Sequence, residues 1–77
     1  MLISYKGRKA ELVLLGEHNY IIEGKNIRKI ADGKLVSIKP EEFEKIFNEN
    51  KGKLSAKISD EVFATLKKEL GDFEIEF

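Results

Sequence analysis

The segment from Ser59 to Phe77 restricts the fold of this chain more than any other. Ser59 is a favoured helix N-cap, and the two acids that follow it suit the positive end of a helix dipole. Gly71 is a typical helix stop, and beyond it apolar and acidic residues alternate as they do in a strand. Between these limits, apolar residues recur at helical spacing: Val62, Phe63, Leu66 and Leu70. The segment therefore predicts an amphipathic helix followed by a short strand that returns to the body of the protein.

Length and composition predict one small globular domain. A chain of 77 residues forms a single domain and buries roughly 60–65% of its unfolded surface. Hydrophobic residues make up 42% of the sequence, which is enough for a core although 36% of it is charged. The absence of cysteine excludes disulfides and thiolate metal sites. We expect one domain over residues 1–77, with a β-rich part (1–39) and a helix–strand–helix–strand part (40–77).

The first 39 residues predict a series of short strands joined by turns. Asp32-Gly33 is a typical hairpin turn, because both residues tolerate the positive φ that such a turn requires. Four successive apolar residues at 12–15 predict a strand that is covered on both faces. The predicted strands are 2–5, 11–15, 20–22, 27–31 and 34–38.

From Pro40 onwards the apolar pattern changes to the helical period. Proline suits the first turn of a helix, and Phe43, Ile46 and Phe47 then form an apolar stripe. Alternating residues at 54–58 predict a short strand or an extended connection before the second helix. The fold class is therefore α+β. We expect a small, mostly antiparallel sheet of four to six short strands packed by two helices, with the C-terminal strand returning to the sheet.

The predicted core combines an apolar face from each element, and each helix is expected to contribute an aromatic-led stripe. Phe63 is one of the core residues, and Phe63→Ala is expected to cost roughly 3–5 kcal/mol. The predicted core residues are Ile3, Leu12, Leu14, Ile22, Val36, Ile38, Phe43, Ile46, Phe47, Val62, Phe63, Leu66, Leu70, Phe73 and Ile75.

Charge is distributed unevenly, although the formal net charge is zero. Residues 1–39 carry eight Lys and Arg against four Asp and Glu, whereas residues 40–77 carry six against ten. Acids in first helical turns explain much of the acidic excess, because the helix dipole favours them there. The basic residues cluster in or near turns of the β-rich part and form a candidate patch for nucleic acid or an acidic partner. This patch contains Lys6, Arg8, Lys9, Lys25, Arg28 and Lys29.

No set of residues in the sequence is typical of catalysis or metal binding. His18 is the only histidine, and the adjacent Glu17 is poorly placed to orient it, so we interpret it as a solvated turn residue. Glu74 and Glu76 would share one strand face. Two acids in that position either bind a cation or keep an edge strand soluble, and we favour the second interpretation. The isolated glycines form no phosphate-binding loop. We therefore expect no catalytic, cofactor-binding or metal-binding residues, no small-molecule substrate and no enzyme activity.

Four phrases of the sequence resemble a known group of proteins. They are ISYKGRKAELVLLG, YIIEGKNIRKI, IKPEEFEKIF and ISDEVFATLKKELGDFEIEF, and together they cover most of the chain. Their order is similar to that in small accessory structural proteins of tailed bacteriophages and prophages, including head–tail and tail components. The phrases consist of general folding signals. The resemblance implies a role in assembly and supplies no catalytic or binding residues to transfer.

The leading functional hypothesis is a non-catalytic structural or interaction module, in particular a phage or prophage assembly component. It would act through protein–protein contacts, with itself or with another protein, at a strand-edge interface formed by Phe73, Ile75 and Phe77. The alternative is a small nucleic-acid-binding or regulatory module that uses the basic patch, with Tyr5 and Tyr20 stacking on bases.

The sequence also gives expectations about location. No apolar run approaches the roughly 20 residues that cross a bilayer. The first residues do not resemble a signal peptide. We expect no membrane association, and a cytoplasmic location or a place within a virion assembled in the cytoplasm.

Overall fold

A computed structural model describes residues 1–50 and 58–76 of the chain. Its elements, in chain order, are β1 (Leu2–Tyr5), β2 (Arg8–Leu15), β3 (His18–Glu23), β4 (Asn26–Ala31), β5 (Lys34–Ile38), α1 (Pro40–Glu49), α2 (Asp60–Leu70) and β6 (Glu74–Glu76). The strands form one six-stranded sheet in the order β5-β4-β3-β2-β1-β6. This confirms the predicted α+β class and the return of the C-terminal strand to the sheet. Of the alternating segment predicted at 54–58, residues 54–57 lie outside the described residues.

The first five strands form a meander joined by two-residue turns. Asp32 and Gly33 have φ values of 51° and 73°, the positive values of a type I′ hairpin, as the sequence predicts. All five pairs of neighbouring strands are antiparallel. Strand direction therefore alternates without interruption from β5 at one edge of the sheet to β6 at the other.

The two helices pack on opposite faces of the sheet, which we call the α1 face and the α2 face. Strand β2 supplies both faces, because Leu12 belongs to the cluster with α2 while Val13 and Leu15 belong to the cluster with α1. The prediction that this strand is covered on both faces is confirmed. The buried residues on the α2 face are Ile3, Tyr5, Ala10, Leu12, Ile21, Ile30, Val62, Leu66 and Leu70. Those on the α1 face are Val13, Leu15, Tyr20 and Ile27.

Helix α2 has the ends that the sequence predicts. The Ser59 hydroxyl accepts a hydrogen bond from the Val62 backbone N–H at 3.3 Å, which satisfies one of the first free donors of the helix. At the other end, Gly71 has a φ of 79°, a conformation that favours glycine, and its N–H donates to the Lys67 carbonyl. These two caps fix the length of the helix.

The buried stripe of α2 differs from the predicted one. Val62, Leu66 and Leu70 face the sheet, whereas Phe63 is 43% exposed and contacts Phe73 with ring centroids 5.3 Å apart. Phe63 lies about 100° around the helix from Val62, so both cannot point directly at the sheet. The expectation that Phe63 is a core residue is therefore wrong, which removes the basis for the expected loss of roughly 3–5 kcal/mol in Phe63→Ala.

Five other core predictions on strands also need correction, because Val36 is exposed and four residues are only partly buried, namely Leu14, Ile22, Ile38 and Ile75. Val36 is 47% exposed, because β5 is an edge strand and α1 does not cover this position. In β3, Ile21 is fully buried and Ile22 only partly buried. Leu14 is likewise only partly buried. A strand covered on both faces gives no alternation from which to choose the more deeply buried side.

Helix α1 carries the predicted aromatic stripe on the other face. Phe43, Ile46 and Phe47 pack against the cluster there, although none of them is fully buried. Phe43 meets Tyr20 edge-to-face, with ring centroids 5.3 Å apart. An aromatic contact of this kind ties α1 to the middle of the sheet.

Candidate interaction surfaces

The structure divides the six basic residues of the predicted patch between different surfaces. Lys6 and Lys25 lie in the β1–β2 and β3–β4 turns, which are at the same end of the sheet because hairpins of a meander alternate ends. Strand alternation places Arg8 and Arg28 on the α2 face, and Lys9 and Lys29 on the α1 face. Lys39, which follows β5, reaches the same end of the sheet as the two turns. We call this end of the sheet the basic end, and its basic residues are Lys6, Arg8, Lys25, Arg28 and Lys39.

Four strands bring one polar cluster together on the α2 face. The Tyr5 hydroxyl donates a hydrogen bond to the Glu23 carboxylate and accepts one from Arg28 Nη2 at 3.0 Å. Arg8 forms a close ion pair with the same carboxylate, and Arg28 Nη2 lies 3.5 Å from Glu23 Oε1. We call Tyr5, Arg8, Glu23 and Arg28 the Glu23 cluster. It closes the α2-face core at the basic end.

The Glu23 cluster holds its carboxylate in the charged form. The hydrogen bond from Tyr5 lowers the pKa of Glu23 most, and Arg8 and Arg28 lower that pKa further, against the opposing effect of burial. The exposed fraction of the side chain is 14% for Glu23, 26% for Arg28 and 57% for Arg8. Arg28 Nε is buried and has no hydrogen-bond partner among the described residues. Arg28 is therefore engaged in contacts within the protein, whereas Arg8 is more accessible to solvent.

A shallow depression lies beside this cluster. Its volume is about 350 Å³, and four cations line it around the single carboxylate of Glu23. The cations are Arg8, Lys25, Arg28 and Lys39. An excess of positive charge in an open depression suits an anionic group on a partner. Neither Glu23 nor Lys39 was a candidate from the sequence, because their proximity depends on strand register.

Both tyrosines of the nucleic-acid hypothesis are buried. Tyr5 is 6% exposed and Tyr20 is 2% exposed. Burial is also the main cause of the raised pKa of the Tyr20 hydroxyl, to which the nearby charge of Glu42 adds. Neither ring can stack on a base from this position, so that part of the hypothesis is wrong.

His18 is exposed, as predicted, but it is the first residue of β3, opposite Leu15, and not a turn residue. It lines an open depression of about 820 Å³ at the end of the sheet away from the basic end. Asp32 and Glu61 line the same depression. Within residues 1–50 and 58–76, however, no group of three or more His, Cys, Asp or Glu residues is placed to hold a metal ion.

The predicted strand-edge interface lies at the outer side of β6. The side chains of Phe73 and Ile75 are partly buried against the α2-face cluster, so they are used by the core. Phe77 lies outside the described residues. Glu74 and Glu76 are exposed, and Glu76 lies 3.7 Å from Lys9 Nζ in an exposed ion pair. What β6 presents outward is therefore its backbone, bordered by acids.

Comparisons with protein-family models, with curated proteins and with solved structures gave no match for this chain. The resemblance to phage structural proteins therefore stays a prediction. In the part of the chain that the structure describes, no helix is long and apolar enough to span a membrane.

Proposed function

We propose that this protein is a non-catalytic interaction module that binds a protein partner through the outer edge of β6. The observation that carries the proposal is the position of β6, which is the last strand of the sheet and pairs only with β1 among the described strands. An unpaired edge offers backbone donors and acceptors to an added strand. The role in phage or prophage assembly that the resemblance implies is one form of this function.

Strand pairing indicates which backbone groups of β6 are free. The two-residue β1–β2 turn makes Tyr5 and Arg8 a hydrogen-bonded pair, so Tyr5 and Ile3 bond to β2, while Ser4 and Leu2 bond to β6. Glu74 and Glu76 of β6 are therefore the residues whose backbone groups bond to β1. The N–H and C=O of Ile75 point away from the sheet, while its side chain anchors β6 in the core.

The charge around this edge favours a basic partner strand. Asp72, Glu74 and Glu76 are all exposed at or beside β6. Charges directly across two paired strands contribute to pairing when they are opposite and oppose it when they are alike. An extended segment in which apolar residues alternate with Lys or Arg is therefore the partner that this edge suits best.

Selection of displayed peptides against the immobilised protein tests this proposal. Chemical synthesis with N-methyl-Ile75 removes the outward donor and keeps the side chain, and N-methyl-Ser37 is the matched control on the other edge. We expect selected peptides to be extended and basic, and to lose about tenfold or more in affinity for the N-methyl-Ile75 protein alone. Equal binding to the unmodified protein and to both N-methyl variants, or no enrichment of peptides, would contradict the proposal.

The second candidate function is binding of nucleic acid or an acidic partner at the basic end, which the convergence of four cations around one depression favours. Lys6→Glu, Lys25→Glu and Lys39→Glu test it without disturbing the Glu23 cluster, with the exposed Lys45→Glu as control. If the function is real, labelled DNA or RNA should bind at low salt, and binding should weaken in the triple variant. Absence of binding at low salt would exclude nucleic acid.

A further inference from the structure

We propose that the partner strand belongs to a second copy of this chain, whose β5 pairs with β6 head to tail. The inference rests on the proposed function of the β6 edge and names its occupant. β5 is the other outermost strand of the same sheet. Among the described residues, no strand pairs with its outer side. Each copy thus carries both halves of the contact.

Strand direction makes the two edges compatible. Because directions alternate over six strands, β5 and β6 run in opposite directions within one molecule. A second copy placed in the same orientation beside the first therefore pairs its β5 with β6 in an antiparallel ladder, which is slightly more stable per residue than a parallel one. The alternation of the sheet continues from copy to copy.

The faces of the sheet also match in this arrangement. Lys34, Val36 and Ile38 point to the α1 face, and so do Glu74 and Glu76. Leu35 and Ile75 both pack against the cluster on the α2 face. When the faces of two copies are aligned with Leu35 opposite Ile75, these two apolar side chains meet on one face and Lys34 lies opposite Glu76 on the other. Leu35 and Ser37 are the β5 residues whose backbone groups point outward, by the register of the type I′ hairpin.

Charge selects this pairing over the symmetric ones. β5 carries Lys34 at its start, Lys39 follows its end, and no acid lies between them. Two β6 edges paired through Ile75 would place Glu74 opposite Glu76, and two β5 edges would join segments whose only charges are positive. Like charges across strands destabilise pairing, so charge favours the β5–β6 combination over either symmetric one. The half-exposed Val36 would gain cover in the contact.

The contact is heterologous, so it forms rings or open chains of copies. It is also small, because β6 has three residues and β5 has five. Interfaces of this size are weak. We therefore expect copies of the protein to associate at concentrations up to about 1 mM at low salt. Added salt should weaken this association, because it screens the exposed charges.

Sedimentation velocity of two charge-reversed variants tests the inference. The first variant carries Lys34→Glu and Lys39→Glu, so both of its edges are acidic, and the second carries Glu74→Lys and Glu76→Lys, so both are basic. We expect the wild type to associate, and each variant alone to associate at least about tenfold more weakly. An equimolar mixture of the two variants should associate again, because each acidic edge then meets a basic one. Circular dichroism of each variant checks that it is folded.

Matched control variants separate edge charge from total charge. Lys45→Glu with Lys68→Glu, and Glu44→Lys with Glu69→Lys, make the same charge changes at exposed helical positions. Each control variant alone should associate like the wild type. An equimolar mixture of the two control variants, in which the charge changes balance, should do the same. A monomeric wild type at about 1 mM, or a mixture of edge variants that does not associate, would overturn the inference. Peptides that still require the Ile75 amide would in that case leave the proposed function standing, whereas their loss would refute both.

Discussion

Tyr5→Phe tests whether the Glu23 cluster stabilises the fold as its geometry indicates. The substitution removes only the hydroxyl, which donates to Glu23 and accepts from Arg28, and it keeps the buried ring in place. Arg28 and Glu23 remain near each other, at 3.5 Å. The loss should therefore equal about one hydrogen bond to a charged group, or about 1.5–3 kcal/mol. That is a large part of a total stability of about 4–12 kcal/mol for a chain of this length.

Urea unfolding at pH 7 measures this loss, and we expect the midpoint to fall by about 1–2 M. The same variant should raise the pKa of Glu23, because the hydroxyl is the main cause of its lowered value. A group with a lowered pKa in the folded state stabilises the protein above its unfolded pKa, near 4.5, and this contribution is lost as the pH falls below it. The stability difference between wild type and variant should therefore shrink in acid.

The matched control is Tyr20→Phe, which removes a hydroxyl from a tyrosine buried on the opposite face. NMR titration of the Glu23 carboxyl should give the same pKa in this variant as in the wild type. The reasoning is refuted if Tyr5→Phe changes neither the unfolding midpoint nor the pKa of Glu23.

The remaining predictions concern the core, a helix cap and alkaline pH. Leu66→Ala removes a fully buried side chain and should cost about 3–5 kcal/mol, whereas Phe63→Ala, at an exposed site that can collapse, should cost about 1–2 kcal/mol by urea unfolding. The opposite order would show that α2 presents a different face. Ser59→Ala leaves the Val62 N–H without its acceptor and should cost about 1 kcal/mol; an unchanged melting temperature would exclude the cap. Because burial raises the pKa of Tyr20, stability should fall as the pH rises above 10, and Tyr20→Phe should reduce that fall; identical pH profiles would contradict this.

Local signals allowed much of the fold to be predicted. Ser59, Gly71 and the Asp32-Gly33 turn act through their own backbone conformations, and each lies where the sequence indicates. Val36 and Phe63 could not be placed correctly, because their burial depends on which side of a strand or helix another element covers. That information is tertiary, and no local pattern contains it.

The candidate surfaces were harder to predict than the fold. The Glu23 cluster joins residues from four strands, and only the pairing register shows that Tyr5, Arg8, Glu23 and Arg28 share a face. The sequence contains a usable signal in its two-residue turns, since these fix the register once they are recognised. The place of β6 beside β1 has no such signal, because the connection through α2 could reach either edge of the sheet.

Backbone NMR of the ¹⁵N-labelled protein, followed as its concentration is raised at low salt, tests most directly whether recognition occurs at the strand edges. Between about 50 μM and 1 mM, the amide signals of Leu35, Ser37 and Ile75 should shift together and become protected from exchange. Amides of the central strand β3 should stay unchanged. Shifts confined to the basic end, or no concentration dependence at either outer strand, would contradict the assignment of these edges as a contact between copies.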